Sequence, residues 1–250
     1  KLVTRDDIEN WAITALSKTD LPYLISKLVR ATTPLSTEVN FPSGSTAFIG
    51  GWDGEVICEE KTPYVPKGVS LYEFGTESNP KGKADKDYNK RKKDSLGYDP
   101  KESVFIFITP RFWKIKDKWV KEKQSEGFWK DVKAYDSSDI EQWLEIAVYV
   151  SGWFANYLRK APLNGIDIAE LFWKYWSEYA GINLLPETIV SGRENEQEEI
   201  FKFINDKPNI SSLKAATKNE AIAFIIASAK LFPKKESEIF FSKALVVHTE

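Results

Sequence analysis

The order of segments along the chain predicts an α/β protein: a mixed β-sheet flanked by helices, followed by the start of a second α/β segment. Three observations carry this. Ser103–Thr109 (SVFIFIT) is almost wholly apolar, with β-branched and aromatic residues, the pattern of a central strand buried on both faces. Upstream of it, short strand-like runs are separated by turn-like Gly- and Pro-containing stretches. Between and beyond the strands lie segments whose apolar residues recur at helical spacing.

Taken in order, Asp20 reads as an N-cap before Leu21 and Pro22, and Leu24, Ile25, Leu28 and Val29 mark one face of a helix ending near Thr32. Thr46–Gly50 and Glu55–Glu60 read as two strands of a hairpin, joined by the GGWDG turn at Gly50–Gly54. Val69–Phe74 (VSLYEF) is a third strand, Lys81–Lys93 a helix, Ser103–Thr109 the central strand and Trp129–Tyr135 a fifth. Ser137 or Ser138 is expected to cap a long helix with Ile140, Trp143, Leu144, Ala147 and Val148 on one face, continued by Trp153, Phe154 and Tyr157. The sum is α–β–β–β–α–β–β–α, and residues 1–160 are taken as one domain.

Past Ala161 the pattern changes. Ile168–Tyr179, Ser191–Ile204 and Lys218–Leu231 read as helices, and Glu187–Val190, Ser211–Ala216 and Ile239–Val247 as strands. Residues 161–250 are therefore expected to be a helical linker and the opening of an α/β domain of degenerate P-loop type, cut short, in the front part of a longer protein. Where a phosphate-binding loop would fall, LKAATKNEAIAF lacks the GxxxxGK[ST] pattern, so no nucleotide site is expected there.

Composition narrows the chemistry. The 250 residues are 42% hydrophobic and 29% charged, with a formal net charge of −2, so any contact with a polyanion must come from a local basic surface. Lysine and arginine outnumber acids in Lys81–Lys93 and again in Arg111–Lys123. Cys58 and His248 are single residues of their kinds, which excludes an intrachain disulfide, a multi-Cys/His zinc site and a His-based triad in the main body. A lone thiol fits a reduced, cytoplasmic setting. No signal-like segment opens the chain, and no run of about 18 apolar residues suggests a membrane span.

What remains is carboxylates and lysines. Asp53 sits in a turn, Glu73 on a strand among Leu71, Tyr72 and Phe74, and Lys81 and Lys83 open the next helix. Two acids able to share a divalent cation, with an ammonium nearby, are the minimum for metal-assisted phosphodiester hydrolysis. Plainer readings stand beside this one: Asp-Gly is a common hairpin turn, and a lysine run is commonly a solvated helix face. Glu73, with apolar neighbours on its strand, lies either at a sheet end facing solvent or in a polar site, because burying a carboxylate alone is costly.

The stretches GGWDG, VSLYEFGT and KGKADKDYNKR together resemble the PD-(D/E)XK nuclease superfamily, whose restriction-endonuclease-like fold carries metal-binding acids on a hairpin and a third strand. The longer set of phrases, DLPYLISKLVRAT, FPSG, GWDG, VPKGVSLYEFGT, KADKDYNKR and FITPRFW, resembles nuclease-like effector modules at the N-termini of bacterial anti-phage STAND ATPases, and GRENE at Gly192–Glu196 resembles the segment that opens many of the ATPase modules. The resemblance implies Asp53 and Glu73 as ligands of Mg²⁺, double-stranded DNA as substrate, and a homo-oligomer assembled through the rest of a longer chain. The usual E-x-K lysine position is Gly75 here; some family members draw the lysine from the neighbouring helix, which makes Lys83 the first candidate and Lys81 the second. Lys81, Arg91 and Arg111 become candidate DNA contacts, and Trp113 a candidate for base stacking, although core packing suits Trp113 as well. The rival expectation is a module that keeps the fold without hydrolysis and serves oligomerisation or sensing.

Overall fold

The sheet that positions the candidate site residues of the first half is built from β1 (Glu38–Asn40), β2 (Gly54–Cys58), β3 (Gly68–Phe74), β4 (Ser103–Ile108) and β5 (Asp131–Tyr135), in the spatial order β1-β2-β3-β4-β5. β2 runs antiparallel to β1 and β3, whereas β3, β4 and β5 are parallel. The structure is a computed structural model and describes residues 1–42, 51–160, 165–179, 181, 183–206 and 210–248. It divides into two compact units, Lys1–Leu158 and Arg159–Glu250.

In the first unit the helices are α1 (Arg5–Ala12), α2 (Leu16–Thr32), α3 (Pro80–Lys93), α4 (Lys116–Ser125), α5 (Ser137–Ile146) and α6 (Val148–Tyr157). All six residues of β4 are buried, as its unbroken apolar run requires. Alternation puts Leu71 and Glu73 of β3 on the same face as Phe105 and Phe107 of β4 and Val132 and Ala134 of β5. α3 and α4 cover that face through Ala84, Tyr88 and Trp119, with Trp52, Trp113 and Trp129 completing the cluster. The opposite face carries Ile108 and Tyr135, and the Tyr135 ring meets Trp143 of α5 at 6.0 Å. α5 in turn packs against α1, α2 and α6, and the Trp143 indole N–H donates to Thr32 Oγ1 at 2.9 Å. Helices thus flank the mixed sheet on both sides.

Several expected boundaries move. The strand expected at Thr46–Gly50 lies outside the described residues; the edge strand beside β2 is Glu38–Asn40, whose three residues are too few to stand out in the sequence. Asp20 is not a cap: α2 begins at Leu16, Pro22 lies inside it, and Asp20 accepts a hydrogen bond from the Tyr157 hydroxyl at 2.5 Å. Asp136, rather than a serine, caps α5, its carboxylate accepting from the Ser138 and Asp139 N–H groups. The long helix after it is two helices, broken where Ala147 leaves the helical region at φ −104°, ψ 66°. α4, between β4 and β5, has apolar residues too sparse for the sequence to mark it as a helix.

The second unit is largely helical. α7 (Ala169–Glu178), α8 (Pro186–Val190), α9 (Glu194–Asn205) and α11 (Lys234–Lys243) pack around α10 (Lys218–Lys230), and β6 (Ile166–Ile168) pairs antiparallel with β7 (Leu245–Val247). Trp173, Phe224, Ile226, Phe232 and Phe241 form its core. Glu187–Val190 is helical rather than extended because Pro186 occupies the first helical position with its φ already set. Ser211–Ala216 is irregular and exposed, without a partner strand. The segment expected as a last strand is helical through Lys243, and only Leu245–Val247 is extended. None of the described helices is long and apolar enough to cross a membrane.

Candidate active site

The site forms at the carboxyl ends of the parallel strands, where loops and a helix start can converge on one point. β3 delivers Glu73 as its penultimate residue, 3% exposed. The chain ahead of β2 delivers Asp53. β2 and β3 pair Gly54 with Tyr72, so one further step of the same register sets Asp53 opposite Glu73. Asp53 is pinned by two bonds: its N–H donates to Tyr72 O at 3.0 Å, and its Oδ2 accepts from the Phe74 N–H at 2.8 Å.

α3 supplies the rest. Asn79 caps it, its Oδ1 accepting from the Gly82 N–H at 3.0 Å, and Pro80 starts it. Lys83, Asp87 and Arg91 recur at four-residue spacing along the helix and so share one flank. Lys83 Nζ donates to Asp87 Oδ2 at 2.5 Å. Arg91 is buried, 2% exposed; its Nε donates to Glu73 Oε1, its second nitrogen donates to the carbonyl of Gly51, and its guanidinium lies 4.6 Å from the centre of the Trp52 ring. Arg91 therefore ties the Asp53-bearing loop to Glu73.

Gly75, the E-x-G position, explains how a helix lysine fits. A β-carbon on it would stand 2.6 Å from Lys83 Cγ, 2.7 Å from Phe107 Cζ and 3.1 Å from Glu77 Oε2. The stem of Lys83 thus fills the space that a side chain at position 75 would take. Lys83 reaches the carboxylate cluster because position 75 is empty.

The electrostatics follow from placing the buried Glu73 and Asp87 and the half-buried Asp53 beside the buried Arg91 and the half-buried Lys83. Burial first, and then the charge of Asp53, pushes the Glu73 carboxyl up to about 8 against the opposing pull of Arg91. Burial likewise raises Asp87, opposed by Lys83 and reinforced by Asp53. For Lys83, burial works against the charged form, but the hydrogen bond and charge of Asp87, with Glu77 and Glu73 beyond, leave its affinity for a proton above the ordinary value. A pocket this rich in carboxylates favours a further cation.

Donor chemistry agrees with a hard divalent ion. Asp53 and Glu73 each bring carboxylate oxygens, and among the described residues one oxygen of each accepts no hydrogen bond. Two protein carboxylates with water and substrate phosphate completing the shell is a common way of binding Mg²⁺. No third His, Cys, Asp or Glu joins them at metal-binding distance among the described residues.

The other expected contacts fall elsewhere. Trp113 is 5% exposed and packs edge-on against Phe107 at 6.0 Å, so it has no face free for a base. Arg111 donates to the carbonyls of Thr76 and Ala12, both at 2.9 Å, and serves as a structural clamp. Arg91 is the buried counter-ion of Glu73 and is not open to a phosphate on the surface. Lys81 is exposed and paired with Asp85 at 2.6 Å, on the other flank of α3 from the site. Asp87 is the residue that the sequence alone did not single out for the site; the Lys83–Asp87–Arg91 spacing was the signal that could have found it.

The fold and site together define an α/β unit with a carboxylate pair at the end of its mixed sheet, served by a lysine and an arginine from one helix. Comparison with protein-family models, with curated proteins and with solved structures finds no match for the chain.

Proposed function

We propose that the first unit is a metal-dependent DNA endonuclease domain of the PD-(D/E)XK, restriction-endonuclease-like kind, acting as the effector part of a bacterial anti-phage defence protein. The observation that supports the reading is the packing at Gly75: the stem of Lys83 occupies the volume that a side chain at position 75 would take, so a helix lysine could serve in place of a strand one. Asp53 and Glu73 would hold Mg²⁺, which when bound supplies a polarised phosphate and a more acidic water. Lys83 holds its ammonium at the cluster by bonding Asp87, placed to orient the attacking water and to offset negative charge on the phosphoryl oxygens. Arg91 keeps Glu73 and the Asp53 loop in register. The supporting frame is the sheet order, with its antiparallel β1–β2–β3 and parallel β3–β4–β5, which brings acids from β3 and the start of β2 to one end.

A second reading draws on one observation. Arg91 already neutralises Glu73, so the fold could persist as a non-catalytic module for oligomerisation or sensing. Incubating purified protein with supercoiled plasmid, with and without Mg²⁺ and with chelator, separates the two. Mg²⁺-dependent nicking lost in Asp53→Asn supports the nuclease; its absence in assembled protein, together with no calorimetric Mg²⁺ binding, supports the module.

A further inference from the structure

Helix α3 has two unlike polar flanks. On the flank toward α4, every charge is answered. Asp85 accepts from Lys81 at 2.6 Å and from the Trp119 indole N–H at 2.8 Å, with Lys123 at 3.6 Å, and Lys92 meets Glu126 at 2.8 Å. The flank toward the site is different. At 3.6 residues per turn, Lys83, Lys86, Lys90 and Lys93 fall within an arc of about 80°, and the stripe they form is about 15 Å long. Of the acids beside them, Asp87 is taken by Lys83, and Asp94 at the helix end accepts from the Leu96 N–H. Lys86, Lys90 and Lys93 are exposed, and none forms an ion pair with an acid among the described residues. Lys90 lies close enough to Asp87 for its charge to be felt there, so the stripe adjoins the carboxylate cluster.

Three exposed ammonium groups in a row, on a protein of net charge −2, make a local positive ridge that attracts an anion of matching length. From Lys86 to Lys93 the ridge is about 10 Å long, which suits about three nucleotides of one strand at about 3.4 Å of axial rise each. We propose that the Lys86–Lys90–Lys93 ridge of α3 is the track for the phosphate backbone of a nucleic acid, duplex DNA in the first instance, and leads one strand to the Asp53–Glu73 site. This places the backbone contacts on residues other than Lys81, Arg91, Arg111 and Trp113. It deepens the nuclease reading but rests on binding, which can be measured without cleavage.

The test is fluorescence anisotropy with a labelled 25-base-pair DNA duplex in chelator, over a range of KCl. The Lys86→Gln/Lys90→Gln/Lys93→Gln variant should lower the slope of log affinity against log salt by about 2.7, at about 0.9 per phosphate contact. Across a fourfold rise in salt, wild-type protein should therefore lose about 40-fold more affinity than the variant. Lys81→Gln/Lys92→Gln, on the answered flank, and Asp53→Asn should keep the wild-type slope. An unchanged slope in the triple variant, or an equal drop in Lys81→Gln/Lys92→Gln, would overturn the assignment. Unchanged circular dichroism and melting temperature in the triple variant exclude misfolding. A second arm uses an RNA duplex of the same length, and a third phosphatidylserine vesicles; tighter ridge-dependent binding to either would overturn DNA as the occupant. Binding through the ridge with no Mg²⁺-dependent nicking would leave the track standing and remove the proposed chemistry, whereas nicking with a salt slope indifferent to the ridge would do the reverse.

Discussion

Gly75→Ala is the most searching single change, because it acts on the contact that lets a helix lysine serve a strand site. Gly75 is outside the left-handed region, so alanine meets no backbone strain. The added carbon would sit 2.6 Å from Lys83 Cγ and 2.7 Å from Phe107 Cζ. Phe107 is fully buried between strands and cannot yield far. The lysine stem can swing out, but only by leaving Asp87 and the carboxylates. Overpacking of this kind costs about 1–3 kcal/mol, which for a unit of this size lowers the melting temperature by roughly 3–10 °C. The second consequence is displacement of the ammonium, so Mg²⁺-dependent nicking should fall about as far as in Lys83→Ala. A double-mutant cycle isolates the contact. With Lys83→Ala already present, Gly75→Ala should cost less by about 1 kcal/mol, because the clash with Cγ is gone and the clash with Phe107 remains. Differential scanning fluorimetry and chemical denaturation read the stability, and plasmid nicking reads the activity. Additive effects of the two substitutions, or a Gly75→Ala protein as stable and active as wild type, would refute the packing argument.

Lys83→Ala should cut the cleavage rate by at least about a hundredfold, Lys83→Arg should stay poor because a planar guanidinium cannot reproduce the same reach, and Lys81→Ala should remain near wild type; full activity of Lys83→Ala in a plasmid assay would remove the lysine from the mechanism. Asp53→Asn and Glu73→Gln should each abolish Mg²⁺-dependent nicking while Mg²⁺ binding by calorimetry weakens; Glu73→Ala is the poorer test, since it strands the buried Arg91 cation and is expected to cost about 3–5 kcal/mol by urea denaturation. For pH, Glu73 lies at about 8 in the folded protein against 4.5 unfolded, so the native state holds more protons in that window. Stability in chelator should fall as pH rises from about 4.5 to about 8, and Glu73→Gln should flatten that slope; urea midpoints that vary with pH equally in both proteins would show that Glu73 is not the source.

The sequence made the sheet legible where burial is two-sided or alternation is strict. β4 and β3 were plain because their runs of β-branched and aromatic residues suit buried strands. It failed where local signals were weak or were spent on something else. Asp20 before Leu21 and Pro22 looks like a helix start, but its carboxylate serves Tyr157 and the helix begins a turn earlier. Pro186 turned an expected strand into a helix, and Ser211–Ala216 (SSLKAA) has no β-branched or aromatic residue and pairs with no strand among the described residues. Within the site, the two acids could be picked out because burying Glu73 demands a reason. The roles of the cations could not, since Lys81 and Lys83 differ by two residues and by about 200° around the helix, and only packing decides which one faces Gly75. Arg91 and Arg111 looked like surface basic residues in a charged run; inside the unit Arg91 instead bonds the Glu73 carboxylate and the Gly51 carbonyl, and Arg111 the carbonyls of Thr76 and Ala12.

The balance of charges explains how such a site can fold before any substrate arrives. Asp53, Glu73 and Asp87 bring three acids into a largely buried space, and Lys83 and Arg91 bring two cations from one flank of α3. The cations are not interchangeable. Arg91 is held by Glu73, Gly51 and Trp52 and behaves as part of the frame, whereas Lys83 has one carboxylate partner and a flexible stem lying over a glycine. Glu73 holds a proton below about pH 8, and the group best able to move in response to a further cation or a phosphate is Lys83. The strand acid Glu73 and the helix lysine Lys83 come from two elements, and Gly75 leaves the space that the lysine stem occupies.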